Sequence, residues 1–441
     1  MAIQTSRMFS LLVVISTAVI FFLSWGGISQ SITWTTFSGK LLRTYGGSWY
    51  DSNLTVLDDK GEWTPPPDGF TSTNKAEKTN FKTDVPRAFT HRTVAETPMP
   101  VLSKKDFKKL PRWDFDDKYN QDSPPRPPTC PQSLRMSNDE KFKKAFLPNI
   151  RLFLHKDNIN MSEWNRLSHF NNPFGFMGFK YDEVMDSVKF IPKPKEPLLR
   201  PGKDGCIRCA VVGTSGILYG SKLGKEIDAH DYVFRMNGAV IKGYEEDVGN
   251  KTSVYVHTAH SITSSVYMLK KYGYKSVPHD EGIKYVMIPE GMRDFQWLQG
   301  LLKGERVSDG PYKNRRPWTY YANQYNETRF YVLHQDFLRY VRNRFLLSPN
   351  MNASFWAIVR PTNGAFTVFL ALQTCDIVDA YGFITDNHKQ YSNYYYERDA
   401  KTHIVFYANH DYTMEKNMWK KLHESKIIKL YFRPDPENKK P

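Results

Sequence analysis

Beyond about Arg126 the apolar positions fall into short runs separated by polar turns, and the runs are of two kinds. Compact apolar or β-branched runs predict strands at Ala210–Val212, Tyr232–Arg235, Ser253–His257, Tyr285–Ile288, Trp356–Arg360, Ile377–Tyr381 and His403–Tyr407. Apolar residues three and four apart predict helices at Asn138–Phe146, Ser261–Lys271, Leu333–Phe345, Ala365–Gln373 and Thr413–Leu422. Strands that alternate with helices argue for an α/β domain built on a mostly parallel central sheet flanked by helices. No internal repeat is visible.

The first part of the chain is patterned differently. Met8–Trp25 carries no charge and is long enough to cross a thin bilayer. Arg7 precedes it, and no small-x-small cleavage site follows, so it reads as an uncleaved signal anchor rather than a removed leader. Residues 1–7 are then a cytosolic tail. From Gly26 to about Pro125 the hydrophobic periodicity is poor, and Thr64-Pro-Pro-Pro-Asp68 and Ser123-Pro-Pro-Arg-Pro-Pro128 punctuate it. Residues 26–125 are expected to be a largely disordered stem, and 126–441 a globular domain. Asp114-Phe-Asp116 mimics a metal-binding Asp-x-Asp, but its place in the polar stem makes it a solvated acidic cluster.

Charge sharpens this picture. The chain holds 61 Lys and Arg against 46 Asp and Glu, a net charge of +15. Within the stem the two signs nearly cancel, so the excess lies in the globular part. A basic domain suits nucleic acid or an anionic substrate. Behind a membrane anchor the second is expected, with no nucleic acid involved. Asn53, Asn160, Asn250, Asn326 and Asn352 each open an Asn-x-Ser/Thr glycosylation triplet, as expected of a lumenal domain. The four cysteines, Cys130, Cys206, Cys209 and Cys375, suit two structural disulfides in an oxidising compartment. Cys206-x-x-Cys209 has the spacing of a zinc-ligand pair, but no second such pair and no close histidine pair accompanies it.

Four blocks carry candidate chemistry. The first is Cys206-Ile-Arg-Cys209-Ala-Val-Val-Gly213-Thr-Ser-Gly216, continuing to Phe234-Arg-Met-Asn237 and Asp247-Val-Gly249. It reads as a strand, a glycine turn, a helix and a second strand. Gly213 and Gly216 let backbone N–H groups approach an anion, although a glycine turn after a strand is often only a turn. The second is Ile358-Val-Arg-Pro361-Thr-Asn-Gly364 with Cys375 downstream, read as strand, loop, helix and strand with amides exposed near Gly364. The third is the aromatic cluster Tyr394-Tyr-Tyr-Glu397. The fourth is His410, after the run Ile404–Ala408 and five residues before Glu415.

Taken in order, these blocks resemble the large, small, third and very-small sialylmotifs of the sialyltransferases, glycosyltransferase family 29, over roughly residues 200–425. The resemblance implies a Rossmann-like variant of the GT-A fold. It also implies an inverting, metal-independent enzyme that uses CMP-N-acetylneuraminic acid as donor substrate and no cofactor. Gly213, Thr214, Ser215, Gly216, Asn237, Thr362, Asn363 and Gly364 fall on the donor-binding positions, and His410 on that of the general base. Tyr394 stands where the family commonly has histidine, and Thr214 where it commonly has asparagine. A phenol donates a hydrogen bond to a leaving phosphate but carries no imidazolium charge near neutral pH. The family's motif-joining disulfide implies Cys209–Cys375, leaving Cys130–Cys206 as the second bridge.

The wording of Ala239–Gly249 and Tyr407–Tyr412 resembles the branch that sialylates O6 of GalNAc linked to Ser or Thr, so the implied partners are mucin-type glycoproteins and the implied location the Golgi membrane. Sialylated Gal-GalNAc cores or gangliosides as acceptors, and a non-catalytic glycan-binding ectodomain, stay open at this point. The acceptor loops within Asp280–Gly310 carry no readable code. The sequence admits a homo-oligomer without fixing the oligomeric state.

Overall fold

The computed structural model describes residues 96–126, 130–202 and 204–433. The anchor at Met8–Trp25, the sequon at Asn53 and most of the stem lie outside these residues. Among the described residues no helix is long and apolar enough to cross a membrane. The described residues other than Asp309–Lys313 belong to one compact unit, which carries everything below. Asp309–Lys313 falls in a second unit, as a short turn in which the Lys313 N–H donates to the Gly310 carbonyl at 3.1 Å.

Seven strands form one sheet: β1 Arg208–Val212, β2 Tyr232–Met236, β3 Val254–His257, β4 Lys284–Met287, β5 Phe330–Val332, β6 Ile377–Tyr381 and β7 Lys429–Leu430. Their order is β5-β4-β3-β2-β1-β6-β7, with every neighbouring pair parallel. Parallel strands covered on both faces must be apolar throughout. Cys209–Val212, Val233–Met236 and Val254–His257 are accordingly buried along their whole lengths. The helices used below are α1 Glu140–Ala145, α2 Met161–Leu167, α3 Tyr181–Val188, α4 Gly224–Asp228, α5 Ala259–Met268, α6 Met292–Lys303, α7 Gln335–Arg344, α8 Asn363–Thr374 and α9 Tyr412–Glu424. α8 is apolar on nearly every side and packs against β1, β2 and β6.

The chain runs outward from β1 through β5 on one side of the sheet, then returns to add β6 and β7 on the other. The reversal at β1 opens a crevice at the carboxyl ends of the strands, where open α/β sheets bind ligands.

Five of the seven predicted strands are present. Trp356–Arg360 is not a strand: Trp356–Ile358 forms a 3-10 turn, and Trp356 and Val359 are buried with Leu110, Met177 and Met351 in a cluster away from the sheet. His403–Tyr407 is also unpaired. The free edge of β6 is taken by β7 instead. The two shortest strands, β5 and β7, and the helices α2, α3 and α6 were not expected from the sequence.

The bridges pair Cys130 with Cys206 and Cys209 with Cys375. Cys209–Cys375 ties β1 to the end of α8 and rules out the zinc reading of Cys206-x-x-Cys209. The solvated reading of Asp114 is overturned as well. Asp114 is fully buried and paired with Arg342 of α7, so ordered packing begins upstream of Arg126.

Candidate active site

All four sequence blocks meet at the carboxyl edge of the sheet. The loop after β1 is built by close approach. A Cβ on Gly213 would lie 2.5 Å from the Gly382 carbonyl oxygen, and one on Gly216 would lie 2.1 Å from that of Ser392. The amides of Gly213, Ser215 and Gly216 donate to the carbonyls of Tyr381, Gly382 and Asn393. These three N–H groups are therefore committed within the protein, which corrects the expectation that the two glycines free amides for an anion. The helix there is also displaced: Gly216–Leu218 makes one 3-10 turn, and α4 starts at Gly224.

The third block packs directly on this loop. Ser215 and Tyr394 form an antiparallel bridge, and the Tyr395 N–H donates to the Thr214 carbonyl at 3.1 Å. The Tyr394 ring stacks on Tyr396 with centroids 5.0 Å apart. Burial, with Tyr407 and Glu397 nearby, raises the Tyr394 phenol, so it stays a proton donor. Arg235, within the first block, is 1 % exposed and structural: its guanidinium donates to the carbonyls of Val248 and Lys251, clamping the turn at Asp247–Gly249.

Asn237 follows β2 with φ +53°, a left-handed conformation that asparagine tolerates. Its carbonyl accepts from the Tyr255 hydroxyl, and its Oδ1 accepts from Asn363 Nδ2 at 2.8 Å. The first and second blocks are thus joined amide to amide. Asn363 Oδ1 is buried and has no hydrogen-bond partner. A buried acceptor left this way in a cleft is what a ligand N–H or O–H satisfies.

Thr362 caps α8, its Oγ1 accepting from the Ala365 N–H at 3.0 Å. The same hydroxyl donates to Glu415 Oε2 at 2.6 Å, and the Thr362 N–H donates to Glu415 Oε1 at 2.7 Å. Thr362 therefore anchors its loop to α9 through both groups. Gly364 differs from Gly213 and Gly216. A Cβ there would meet only ordinary contacts at 3.4 Å, so the protein around it does not require glycine. A bare backbone at the start of α8 instead leaves room for a ligand to approach.

Glu415 is 4 % exposed, and burial raises its carboxyl to about 7 despite the two bonds from Thr362. Its value in the folded protein lies above the ordinary 4.5. Its contribution to stability is therefore full below about pH 4.5 and is lost as the pH rises through 7. Between pH 4.5 and 8 the wild type should lose on the order of 2–3 kcal/mol relative to Glu415→Gln, measured as the difference in denaturant unfolding free energy. Curves that stay parallel across that range would contradict this assignment.

His410 follows an unpaired segment and not a strand end, so the aim of its ring comes from hydrogen bonds. Its Nδ1 lies 2.9 Å from the Arg360 carbonyl, and its Nε2 lies 3.2 Å from Asn409 Nδ2. A carbonyl only accepts, so Nδ1 carries the proton and Nε2 holds the lone pair. Burial, with the Arg360 charge beside it, pushes the imidazole down to about 4, which keeps it neutral with its lone pair unprotonated at Nε2.

The sequence did not single out Glu290, which follows β4 and pairs with both Arg293 and Arg360 at 2.7 Å. A polar residue just past a buried strand was the one signal available. Asn160, Asn250, Asn326 and Asn352 are all exposed. At Asn160 and Asn326 the side-chain oxygen caps a helical turn, which leaves the amide nitrogen for a glycan. Among the described residues the one group with metal-ligand geometry is Cys130, Cys206 and Asp376, and its two sulfurs are bonded to each other.

A family model described as glycosyltransferase family 29 (sialyltransferase) matches residues 153–427. The chain belongs to this family. Alpha-N-acetylgalactosaminide alpha-2,6-sialyltransferase 1 of Gallus gallus is 46% identical over 343 residues, covering 75% of this chain and 60% of the relative. Alpha-N-acetylgalactosaminide alpha-2,6-sialyltransferase 2 of Mus musculus is 39% identical over 329 residues, covering 73% of this chain and 88% of the relative. The chain thus spans about three fifths of the Gallus gallus relative's length. A crystal structure of a mammalian sialyltransferase superposes with a TM-score of 0.51 at 25% identity, covering 69% of this chain and 99% of that one.

Proposed function

We propose that this family 29 chain transfers N-acetylneuraminic acid from CMP-N-acetylneuraminic acid to O6 of GalNAc linked to Ser or Thr of glycoproteins. One observation carries the reading: the donor-site asparagines, the open start of α8 and His410 converge on one edge of the sheet, in a chain whose relatives are named for alpha-2,6 sialylation of N-acetylgalactosaminide. Asn237, Asn363 and Gly364 would hold the CMP, and Tyr394 would donate to the leaving phosphate. Sugar hydroxyls are barely acidic, so attack needs a positioned base. The acceptor 6-hydroxyl would replace Asn409 at His410 Nε2 and give up its proton there as the donor C2 gains oxocarbenium character. Attack from the face opposite the leaving CMP inverts that carbon. No metal is required, because a nucleoside monophosphate leaves with a charge that amides and hydroxyls can stabilise.

A lumenal Golgi setting, with Met8–Trp25 as the anchor, is part of the same reading. The two disulfides and the exposed sequon asparagines support it.

The test offers the full chain CMP-sialic acid with three acceptors: a peptide bearing Ser/Thr-linked GalNAc, the same peptide bearing sialyl-Gal-GalNAc, and a ganglioside. Sialic acid should appear on O6 of the simple GalNAc peptide. Transfer confined to either of the other two would replace the acceptor. CMP binding without transfer to any of them would make the domain a binding module.

A further inference from the structure

Glu290 lies outside all four sequence blocks, yet it sits beside His410 in an arrangement that mere charge balance does not explain. It is 6 % exposed, and each carboxylate oxygen is held by a different guanidinium: Oε1 by Arg360 Nη2 and Oε2 by Arg293 Nη2, both at 2.7 Å. Arg360 then meets the His410 segment through its main chain. Its carbonyl accepts from His410 Nδ1 at 2.9 Å, and its N–H donates to the Asn409 carbonyl at 2.9 Å. One residue thus has its side chain fixed to Glu290 and both main-chain polar groups fixed to His410 and its neighbour. The next residue, Pro361, limits the backbone freedom that could undo this.

We infer that Glu290 is a positioning residue for His410: by holding the Arg360 side chain it keeps the Arg360 carbonyl on Nδ1, so that Nε2 faces the cleft with its lone pair. The inference rests on the reading of His410 as the base. Glu290 also offsets the Arg360 charge at the ring. Burial and Arg360 lower the imidazole, and Glu290 acts in the opposite direction. The other groups around the ring are Tyr412 at the start of α9, edge-on at 5.7 Å, and Asp411, whose Oδ2 accepts from the Ser348 hydroxyl. Arg293, on α6, holds Glu290 from its other oxygen, and His260, on α5, lies within the field of Arg293, Glu290 and Arg360.

The two charges predict opposite shifts of the imidazole, and loss of the ring's aim predicts a fall in kcat at unchanged CMP affinity, which a purely structural ion pair would not produce. The full chain is treated with diethylpyrocarbonate across pH, and acylation of His410 is followed by peptide mass spectrometry. The midpoint reports when this imidazole becomes neutral. Glu290→Gln should move it lower and Arg360→Gln higher, with the double variant between them. The acid limb of kcat/KM should follow in the same directions, and kcat of Glu290→Gln should fall about tenfold or more as the ring loses its aim. CMP affinity, set by Asn237, Asn363 and the start of α8, serves as the folding control. Where a single variant no longer binds CMP, the double variant, which removes both charges, is compared with Arg360→Lys, which keeps the cation and loses the fork. A kcat of the double variant well below that of Arg360→Lys at equal CMP affinity supports the inference, and equal kcat values overturn it. Midpoints that stay at the wild-type value in variants that bind CMP overturn it and leave Glu290 a structural ion-pair partner. Midpoints that shift as expected while the acid limb of kcat/KM does not follow uphold the link between Glu290 and His410, and it is then the base role of His410 that fails.

Discussion

His410→Ala is expected to lower turnover by roughly 10²–10⁴-fold, the usual worth of a positioned base, while CMP affinity changes little. The separation follows from the geometry. The imidazole is held by Arg360 and Asn409, and neither bond involves the asparagine pair or the start of α8 that would take the nucleotide. An imidazole pushed down to about 4 is neutral at every pH well above that value, so its lone pair would be free for the proton of an attacking hydroxyl. Wild-type activity should consequently lose little to protonation of this ring above an ordinary histidine's 6.5, and should fall only well below it. Turnover and CMP affinity are measured side by side on the same preparations. Near-normal turnover in His410→Ala would remove the base assignment. Loss of CMP binding or of folding would instead make His410 a structural histidine whose bond to Arg360 holds the loop before α8.

How much of this was legible in the sequence depended on where each residue's partners lie. β1, β2 and β3 were readable because both faces of a central parallel strand are buried, and the apolar run then has no competing explanation. Trp356–Arg360 has the same apolar look for another reason. Its large side chains fill a satellite cluster with Leu110 and Met177, residues far away in the chain. Gly213 and Gly216 stood out in the sequence for a reason the structure does not share. The spacing suggested free amides, whereas the structure needs a backbone without Cβ atoms against Gly382 and Ser392. Gly364, whose surroundings would admit a side chain, is the glycine that does keep a helix start open. Glu415 entered as spacing alone, and its grip on Thr362 is visible only when α9 is folded beside α8. Glu290 gave almost no signal, because Arg293 is a near neighbour in sequence but Arg360, which completes the arrangement, comes from a distant segment. The cysteine pairing could be carried over because the motifs themselves were recognisable, and the observed bridges agree with it.

Asp114→Ala is expected to destabilise the domain by about 3–5 kcal/mol, the cost of leaving one member of a buried ion pair without its partner. Asp114 is fully buried, and its Oδ2 lies 2.6 Å from Arg342 Nη1. Arg342 is 1 % exposed, donates from Nη2 to the Asp114 carbonyl at 2.7 Å, and lies 3.9 Å from the centre of the Phe174 ring. Removing the carboxylate strands a guanidinium that has no route to water. Asp116, two residues on, is the internal control. It is exposed, and what it gives α7 is its backbone carbonyl, which accepts from Arg339 and survives truncation of the side chain. Asp116→Ala should therefore change stability by no more than about 0.5 kcal/mol. Truncating two aspartates that look equivalent as Asp-x-Asp is thus expected to cost severalfold different amounts of unfolding free energy, measured from denaturant midpoints at constant m-value. Replacing the pair by apolar residues, Asp114→Leu with Arg342→Met, should recover most of the loss, since what is costly is the unpaired charge and not the absence of the bridge. Equal midpoints for Asp114→Ala and the wild type would mean that the segment before Arg126 rests on the domain without contributing to its folding. The expected difference means that a soluble fragment starting at Arg126 would expose Arg342 and Arg339 to the same loss. Fragments for activity measurements should therefore keep Asp114 and Asp116, and also Thr97 and Met99, whose main chain bonds to Asn165.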